Sequence, residues 1–285
     1  MKKFFMAVIA LMMMISASAQ FYIYCSDGNV IKVDSISMVA PDEPEKPNPS
    51  AGIGTFSVAA DKQVTFSKGN LQYHPANNEW RFAENQWNYI GYENENISAN
   101  FSGWIDMFFW GRGDNPMNNN TDYESFETFV DWGTNKIGND NENEWRTLSE
   151  DEWIYLFKNR EKADSLYGVA QISGSNGIVL LPDNWMTPEG VDFKTVLSTN
   201  YSSADQIISL EKWRKMEKAG AVFLPAAGKS SGYMYMHDVG IGGYYWSCTR
   251  HSTYGARCLW FSLTSVNHLY NYLYYQQSVR LVKDL

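Results

Sequence analysis

Cysteine, histidine and basic side chains are scarce in this sequence, and each shortage excludes a class of protein. Its three cysteines are too few for a disulfide scaffold, and Cys248 and Cys258 could either pair or remain free buried thiols. Its four histidines show no metal-ligand spacing. Its 32 acidic residues outnumber the 23 basic ones, which excludes the basic footprint of a general nucleic-acid-binding protein. We therefore expect no nucleic-acid partner and no metal.

Long apolar runs are also missing, apart from one near the N-terminus. The run over residues 4–15 is too short to span a bilayer, follows two lysines, and precedes small residues at Ala17 and Ala19. This pattern predicts a cleavable secretory signal over residues 1–19, and the alternative, a buried N-terminal helix, fits the flanking residues less well. We expect an exported protein, extracellular or on the outer cell surface, with no direct membrane span.

Motifs for catalysis are lacking as well, since neither a Gly-x-Ser-x-Gly elbow nor a phosphate-binding loop occurs. The triplet Arg112-Gly113-Asp114 resembles an integrin-binding loop, but a tight turn is the preferred interpretation. The acidic run 140–144 could hold calcium, yet Trp145 stands where the familiar calcium loop has its glycine, so a solvated loop is preferred. We expect neither an enzyme nor a bound cofactor.

The composition divides the rest of the chain into three segments. Residues 20–40 contain two short apolar runs around a turn, which predicts a short β segment that is marginal on its own in water. Residues 41–54 are rich in proline and are typical of a semi-extended linker. Residues 55–285 contain all 11 tryptophans, and short apolar stretches alternate there with Asn- and Gly-rich segments. This pattern predicts one domain with several short strands and much ordered loop.

Two helices are predicted within residues 55–285. Ser149 and Glu152 form a capping box, and apolar residues follow them at helical spacing. A second helix is predicted from Ser209 to a stop at Gly220. Its expected apolar face consists of Leu210, Trp213 and Met216.

Several separated segments resemble one known family. Residues 145–153 are similar to the helix start of formylglycine-generating-enzyme-like (sulfatase-modifying factor-like) domains, and residues 221–228 to the strand and turn after their second helix. Residues 244–247 and 278–282 are similar to their C-terminal signature. The chain resembles in particular the exported branch called the Fibrobacter succinogenes major paralogous domain, over residues 55–285. The resemblance implies a C-type-lectin-like α+β fold, in which two helices flank small antiparallel sheets.

Another branch of this fold comprises the variable proteins of diversity-generating retroelements, which carry hypermutated ligand contacts in a C-terminal segment. Residues 245–282 resemble such a segment. The framework residues that the resemblance retains are Trp246, Ser247, Ala256, Leu259, Phe261, Val266 and Ser278. The enzymatic members of the family use two cysteines near the C-terminus, but Leu281 stands where they have one of them. The resemblance therefore implies a binder, and an enzyme that uses Cys248 or Cys258, with low-pKa thiols or copper, is the less favoured hypothesis.

Tyrosine is concentrated near the C-terminus. Nine of the 18 tyrosines follow residue 232, and residues 240–278 contain no Asp, Glu or Lys. Tyrosine with Arg, His, Asn and Ser is the composition of antibody-like binding surfaces, and the same rings can stack on sugars. Strand alternation puts Tyr270, Tyr272 and Tyr274 on one face, either buried or open. Four further aromatic residues are expected to close the core: Tyr244, Tyr245, Trp246 and Phe261.

The candidate binding residues lie between residues 250 and 277, where a Gly- and Ser-containing turn is expected to expose the first four of them. The predicted site comprises Arg250, His251, Tyr254, Arg257, Trp260, Ser262, Asn267, His268, Tyr270, Tyr272 and Tyr274. The sequence thus predicts a binding module for a protein or glycan on another cell, a phage or a host surface. The alternative is a structural or adhesive subunit of a surface appendage, in which residues 20–40 add a strand to a partner.

Overall fold

The chain divides into two compact units, Met1–Pro47 and Asn48–Leu285. The computed structural model describes residues 21–24, 30–33, 52–96, 101–118, 120–231 and 235–285. The predicted signal segment, residues 1–19, and residues 41–51 of the predicted linker lie outside the described residues. In the first unit, strand β1 (Phe21–Tyr24) pairs antiparallel with strand β2 (Val30–Val33), with Phe21 opposite Val33.

The second unit combines two helices with several small, mostly antiparallel sheets, which confirms the α+β class. The helices are α1 (Glu150–Ile154), which continues as a π-helical turn over Tyr155–Asn159, and α2 (Leu210–Lys218). In chain order, the strands of this unit are β3 (Ile53–Ala59), β4 (Lys62–Phe66), β5 (Leu71–His74), β6 (Glu79–Phe82), β7 (Phe108–Phe109), β8 (Tyr167–Ile172), β9 (Ser175–Leu180), β10 (Ile207–Ile208), β11 (Val222–Pro225), β12 (Lys229–Ser230), β13 (Met236–His237), β14 (Gly242–Arg250), β15 (Gly255–Ser262), β16 (Ser265–Tyr272), β17 (Gln276–Gln277) and β18 (Val282–Asp284).

The strands of the second unit form short sheets that bring distant parts of the chain together. Their orders are β10-β8-β9-β11, β13-β12-β17-β7, β14-β15-β16 and β18-β4-β3, and β5 pairs with β6 as a separate hairpin. The last strand, β18, pairs with β4, so the C-terminal strand lies in the same sheet as the first two strands of the unit. Among the described residues, no helix is long and apolar enough to cross a membrane.

Both predicted helix starts are confirmed. The backbone N–H of Glu152 donates to Ser149 Oγ at 3.2 Å, and the N–H of Ser149 donates to the Glu152 carboxylate at 2.8 Å, which completes the capping box. Ser209 is the N-cap of α2, and its Oγ accepts from the N–H of Lys212 at 3.3 Å. After α2, Gly220 adopts a φ of +95°, a conformation that glycine accommodates without strain.

The apolar face predicted for α2 is only partly correct. Trp213 and Met216 are fully buried, as predicted, but Leu210 is 39 % exposed. Leu210 is the first residue of the helix, where the chain enters from the surface strand β10. The aromatic residues expected in the core are all buried there: Tyr244, Tyr245, Trp246 and Phe261.

One buried cation joins several segments of the second unit. The guanidinium of Arg280, in the segment between β17 and β18, is 1 % exposed and donates to Gln86 Oε1 at 2.6 Å. It also donates to the carbonyl of Phe223 at 3.3 Å and to Asn70 Oδ1 at 3.4 Å. Burial lowers the pKa of Arg280 to about 10, and the nearby Tyr245 and Glu217 oppose that shift. Because no carboxylate of the described residues forms an ion pair with it, neutral acceptors alone hold this charge.

We expect Arg280→Met to lower the free energy of unfolding by about 3 kcal/mol or more, because it leaves buried acceptors without their donor. The matched control is Arg214→Met on the exposed side of α2, which should change the free energy of unfolding by less than about 0.5 kcal/mol. Urea unfolding followed by tryptophan fluorescence measures both variants. Equal losses in the two variants would show that the Arg280 contacts do not hold the fold.

A second buried charge fixes the 3₁₀ turn over Gly91–Asn96. Asp106 is fully buried, and its carboxylate accepts from the backbone N–H of Ile90 at 2.9 Å and from Asn94 Nδ2 at 2.8 Å. Burial raises the pKa of Asp106 to about 6, although these hydrogen bonds favour the ionised form. The carboxyl group of Asp106 is therefore about half ionised near pH 6.

We expect the stability difference between the wild type and Asp106→Asn to depend on pH. The pKa of Asp106 in the folded chain, about 6, lies above its ordinary value of 3.8, so protonation favours the folded state. This contribution is complete below about pH 4 and is lost as the pH rises through about 6. The wild type should gain stability relative to the variant when urea unfolding is repeated from pH 7 down to pH 4. A constant difference over that range contradicts the assignment.

Candidate ligand-binding surface

The three-stranded sheet β14-β15-β16 carries the residues that the sequence predicts as a binding site. A two-residue turn, Leu263–Thr264, joins β15 to β16, and Arg257 lies directly opposite Tyr270 in the resulting register. Because side chains alternate along a strand, Arg257, His268, Tyr270 and Tyr272 share one face, and Arg257 on that face pairs with Glu150 of α1. β16 is an edge strand of this sheet, because β15 is its only neighbouring strand in the described residues.

A group of exposed tyrosines lies at the outer end of that face. Tyr254 and Tyr270 are each 56 % exposed, and Tyr272 is 43 % exposed. The ring of Tyr270 lies 4.7 Å from the exposed imidazole of His251, and the ring of Tyr272 stacks on Tyr274 at 5.3 Å with an interplanar angle of 7°. The strand pattern alone does not show whether this face is buried or open. In the structure, Tyr270 and Tyr272 are open to solvent.

The prediction that Tyr274 continues the same strand face is wrong. β16 ends at Tyr272, and Tyr274 lies half-buried in the turn before β17. Its ring reaches Tyr272 because the chain reverses there, with the N–H of Tyr275 donating to the carbonyl of Tyr272 at 2.9 Å. Stacking of the two rings thus comes from the turn and not from strand alternation.

Tyr123 belongs to the same group, although the sequence does not point to it. It begins a 3₁₀ turn over Tyr123–Phe126, and its ring lies 4.6 Å from Tyr254 and 5.9 Å from Tyr274. The local sequence is a polar loop, and only the tertiary fold brings it to the C-terminal sheet. We refer to Tyr123, His251, Tyr254, Tyr270, Tyr272 and Tyr274 together as the tyrosine platform.

Arg250 joins two loops through hydrogen bonds to their backbone carbonyls. Its guanidinium donates to four carbonyls: Phe126 at 2.8 Å, Glu127 at 3.1 Å, Ser252 at 2.9 Å and Thr253 at 3.1 Å. The sequence predicts a ligand contact here, but these bonds engage all three nitrogens of the guanidinium. Arg250 therefore has a structural role, because it fixes the turn that carries Tyr123 against the loop that carries Tyr254.

Arg257 differs from Arg250 in its partners. Its Nε lies 3.3 Å from Glu150 Oε1, and the two side chains are 28 % and 21 % exposed. This ion pair stands beside Tyr270, at the first residue of α1. The predicted site does not include Glu150, because nothing in the local sequence shows that this helix start lies beside the C-terminal sheet.

Four other predicted residues lie away from the tyrosine platform. Ser262 is only 2 % exposed, so it is buried at the end of β15. Trp260 and Asn267 are opposite each other in register and occupy the other face of the sheet. His268 shares the platform's face, but burial lowers its pKa to about 4, with Lys158 adding to the shift, and its ring lies 6.5 Å from Phe157. The structure therefore groups His251, Tyr254, Arg257, Tyr270, Tyr272 and Tyr274, with Arg250 as their support.

The two thiols of the C-terminal sheet are free and have different neighbours. Burial raises the pKa of Cys258 to about 12, and Asn271 donates a weak hydrogen bond to its sulfur at 3.4 Å. Burial also raises the pKa of Cys248, with Asp131 and Glu152 adding to the shift. A reactive or copper-binding thiol needs a lowered pKa, so both shifts run in the opposite direction.

The Arg112-Gly113-Asp114 triplet does not offer its arginine to an adhesion partner, because Arg112 is buried. Arg112 is 8 % exposed, lies 4.2 Å from the centre of the Phe126 ring, and donates to Ser125 Oγ at 2.6 Å. The acidic run 140–144 is also less open than predicted, because Asp140 is 2 % exposed and accepts from Trp145 Nε1 at 2.8 Å. Across the part of the chain that the structure describes, no group of three or more His, Cys, Asp or Glu side chains could hold a metal ion.

Comparisons with models of protein families, with curated proteins and with solved structures found no match to this chain.

We expect Arg250→Ala to loosen the support of the platform without unfolding the sheet. Loss of charge-assisted hydrogen bonds to four carbonyls should lower the free energy of unfolding by about 2 kcal/mol. Amide hydrogen exchange of residues 120–129 and 251–255 should accelerate at least tenfold, whereas residues 210–218 of α2 should exchange as in the wild type. Unchanged exchange in residues 120–129 would mean that Arg250 does not fix the turn carrying Tyr123.

Proposed function

We propose that this chain is an exported, non-enzymatic binding protein that presents the tyrosine platform to a protein or glycan on another cell, a phage or a host surface. The observation that carries the proposal is the set of exposed, mutually contacting tyrosines at the end of the β14-β15-β16 sheet. Exposed aromatic rings that already pack on one another lose little side-chain entropy when a ligand binds. The platform is therefore preorganised for recognition.

The same proposal includes the C-type-lectin-like fold and membership among formylglycine-generating-enzyme-like domains, with the C-terminal segment as a variable region of a diversity-generating retroelement. Two capped helices and small antiparallel sheets are the elements that such a fold requires. The raised pKa values of Cys248 and Cys258 favour a binder over an oxidase. Export is supported by the secretory pattern of residues 1–19.

A structural or adhesive subunit of a surface appendage is the second candidate. The observation in its favour is the two-stranded hairpin β1-β2, which belongs to the first compact unit and has unpaired outer edges in the described residues. An exposed strand edge can accept or donate a strand in an assembly. Deleting residues 20–50 would abolish assembly and leave the second unit folded if this candidate were correct.

The proposed function is tested by a screen of the purified chain against arrays of glycans and cell-surface proteins. A variant with Tyr254, Tyr270 and Tyr272 changed to alanine should lose binding, because each side chain contributes large exposed ring area to the platform. The matched control changes three tyrosines with similar exposure on other elements, Tyr92, Tyr201 and Tyr235, and should bind as the wild type does. Both variants are first compared with the wild type by thermal unfolding.

Three results of this screen separate the candidates. Binding lost only in the platform variant supports the proposal. Binding that both variants retain places the ligand elsewhere and overturns it. Absence of any binding, together with assembly that depends on residues 20–50, favours the structural subunit.

A further inference from the structure

The ion pair between Arg257 and Glu150 retains hydrogen-bonding capacity that the rest of the protein does not use. The Nε–Oε1 distance is 3.3 Å, yet neither side chain takes part in a hydrogen bond among the described residues. Of the eight arginines, the only other one whose side chain donates no such bond is Arg214, on the exposed side of α2. Arg257 is thus the one partly buried arginine in the described residues whose side chain donates no hydrogen bond, and only its Nε faces a carboxylate.

This pair is next to an exposed aromatic ring. Arg257 and Tyr270 are directly opposed across β15 and β16, at a position where side chains of one face lie side by side. Tyr270 is 56 % exposed and has His251 as its ring neighbour. A ligand that covers Tyr270 therefore meets a carboxylate and a guanidinium at its border.

The charges of the pair decide which ligand chemistry fits. Glu150 would repel an anionic ligand and Arg257 would repel a cationic one. A neutral ligand with a hydrogen-bond donor and an acceptor side by side is therefore favoured. Adjacent hydroxyl groups of a sugar meet this requirement, because one can donate to the carboxylate while its neighbour accepts from the guanidinium.

We infer that the ligand of the tyrosine platform is a carbohydrate, with a pyranose ring packed on Tyr270 and two neighbouring hydroxyls held by Glu150 and Arg257. The apolar C–H face of a pyranose suits the face of a tyrosine ring, and the charged pair supplies the hydrogen bonds that orient it. This inference rests on the proposed function, and it adds the ligand class and the specificity-determining residue Glu150.

The test is a printed array of oligosaccharides, followed by calorimetric titration of each soluble oligosaccharide that binds the full chain. We expect Tyr270→Ala and Glu150→Gln each to weaken binding at least tenfold. Tyr270→Phe, which keeps the ring, should stay within twofold of the wild type. The matched control is Glu211→Gln, since Glu211 also lies in the first turn of a helix and pairs with a cation, Lys215, at 3.4 Å.

A second titration uses deoxy analogues of the oligosaccharide that binds. A site that hydrogen-bonds a hydroxyl rejects the analogue that lacks it, because buried polar groups are then left unpaired. One deoxy analogue should therefore bind the wild type at least tenfold more weakly than the parent sugar, and this difference should shrink in Glu150→Gln.

Failure of the inference and failure of the proposed function give different results. Oligosaccharide binding that is equal in all variants overturns the site. A protein that binds through the platform tyrosines, without any oligosaccharide doing so, overturns the carbohydrate inference and leaves the proposed function intact. No ligand of either class on the arrays overturns both.

Discussion

The buried guanidinium of Arg280 is a charge around which several segments of the second unit are arranged. It joins the turn before β5, the Gln86 segment and strand β11 through neutral acceptors only. Gln86 Oε1 also accepts from the backbone N–H of Phe223, and its Nε2 donates to Glu217 of α2. A charge removed from water without a carboxylate partner is tolerated only when each acceptor is well placed. These separate segments are thereby held at fixed positions relative to one another.

Such a frame permits an exposed aromatic surface that is itself poor in regular structure. The tyrosine platform is built from a 3₁₀ turn, a loop and one edge strand, and Arg250 and Arg112 tie these pieces together through backbone carbonyls and Ser125. Arginine suits this role because its planar group offers five donors in fixed directions. Most arginines in the described residues therefore organise the chain, whereas Arg257 and the exposed Arg214 donate no hydrogen bond there.

The sequence predicts what depends on local spacing and misses what depends on distant contacts. Helix starts follow from caps three residues apart, and the α+β class follows from short apolar runs, so both could be read directly. Tyr123 and the partners of Arg250 could not, because Phe126 is 124 positions away from Arg250. Composition alone marks Arg250 and Ser262 as candidates, since it does not distinguish a side chain that meets a ligand from one that meets the chain's own backbone.

The position of β16 at the end of its sheet has a consequence for how the surface can evolve. Each residue of β16 has one neighbouring strand instead of two, and Asn267, Tyr270 and Tyr272 project into solvent. Exchange of such side chains alters the free energy of unfolding by only about 0.5 kcal/mol in either direction. Mutations can therefore accumulate at these positions, while the buried frame beneath them continues to fold unchanged.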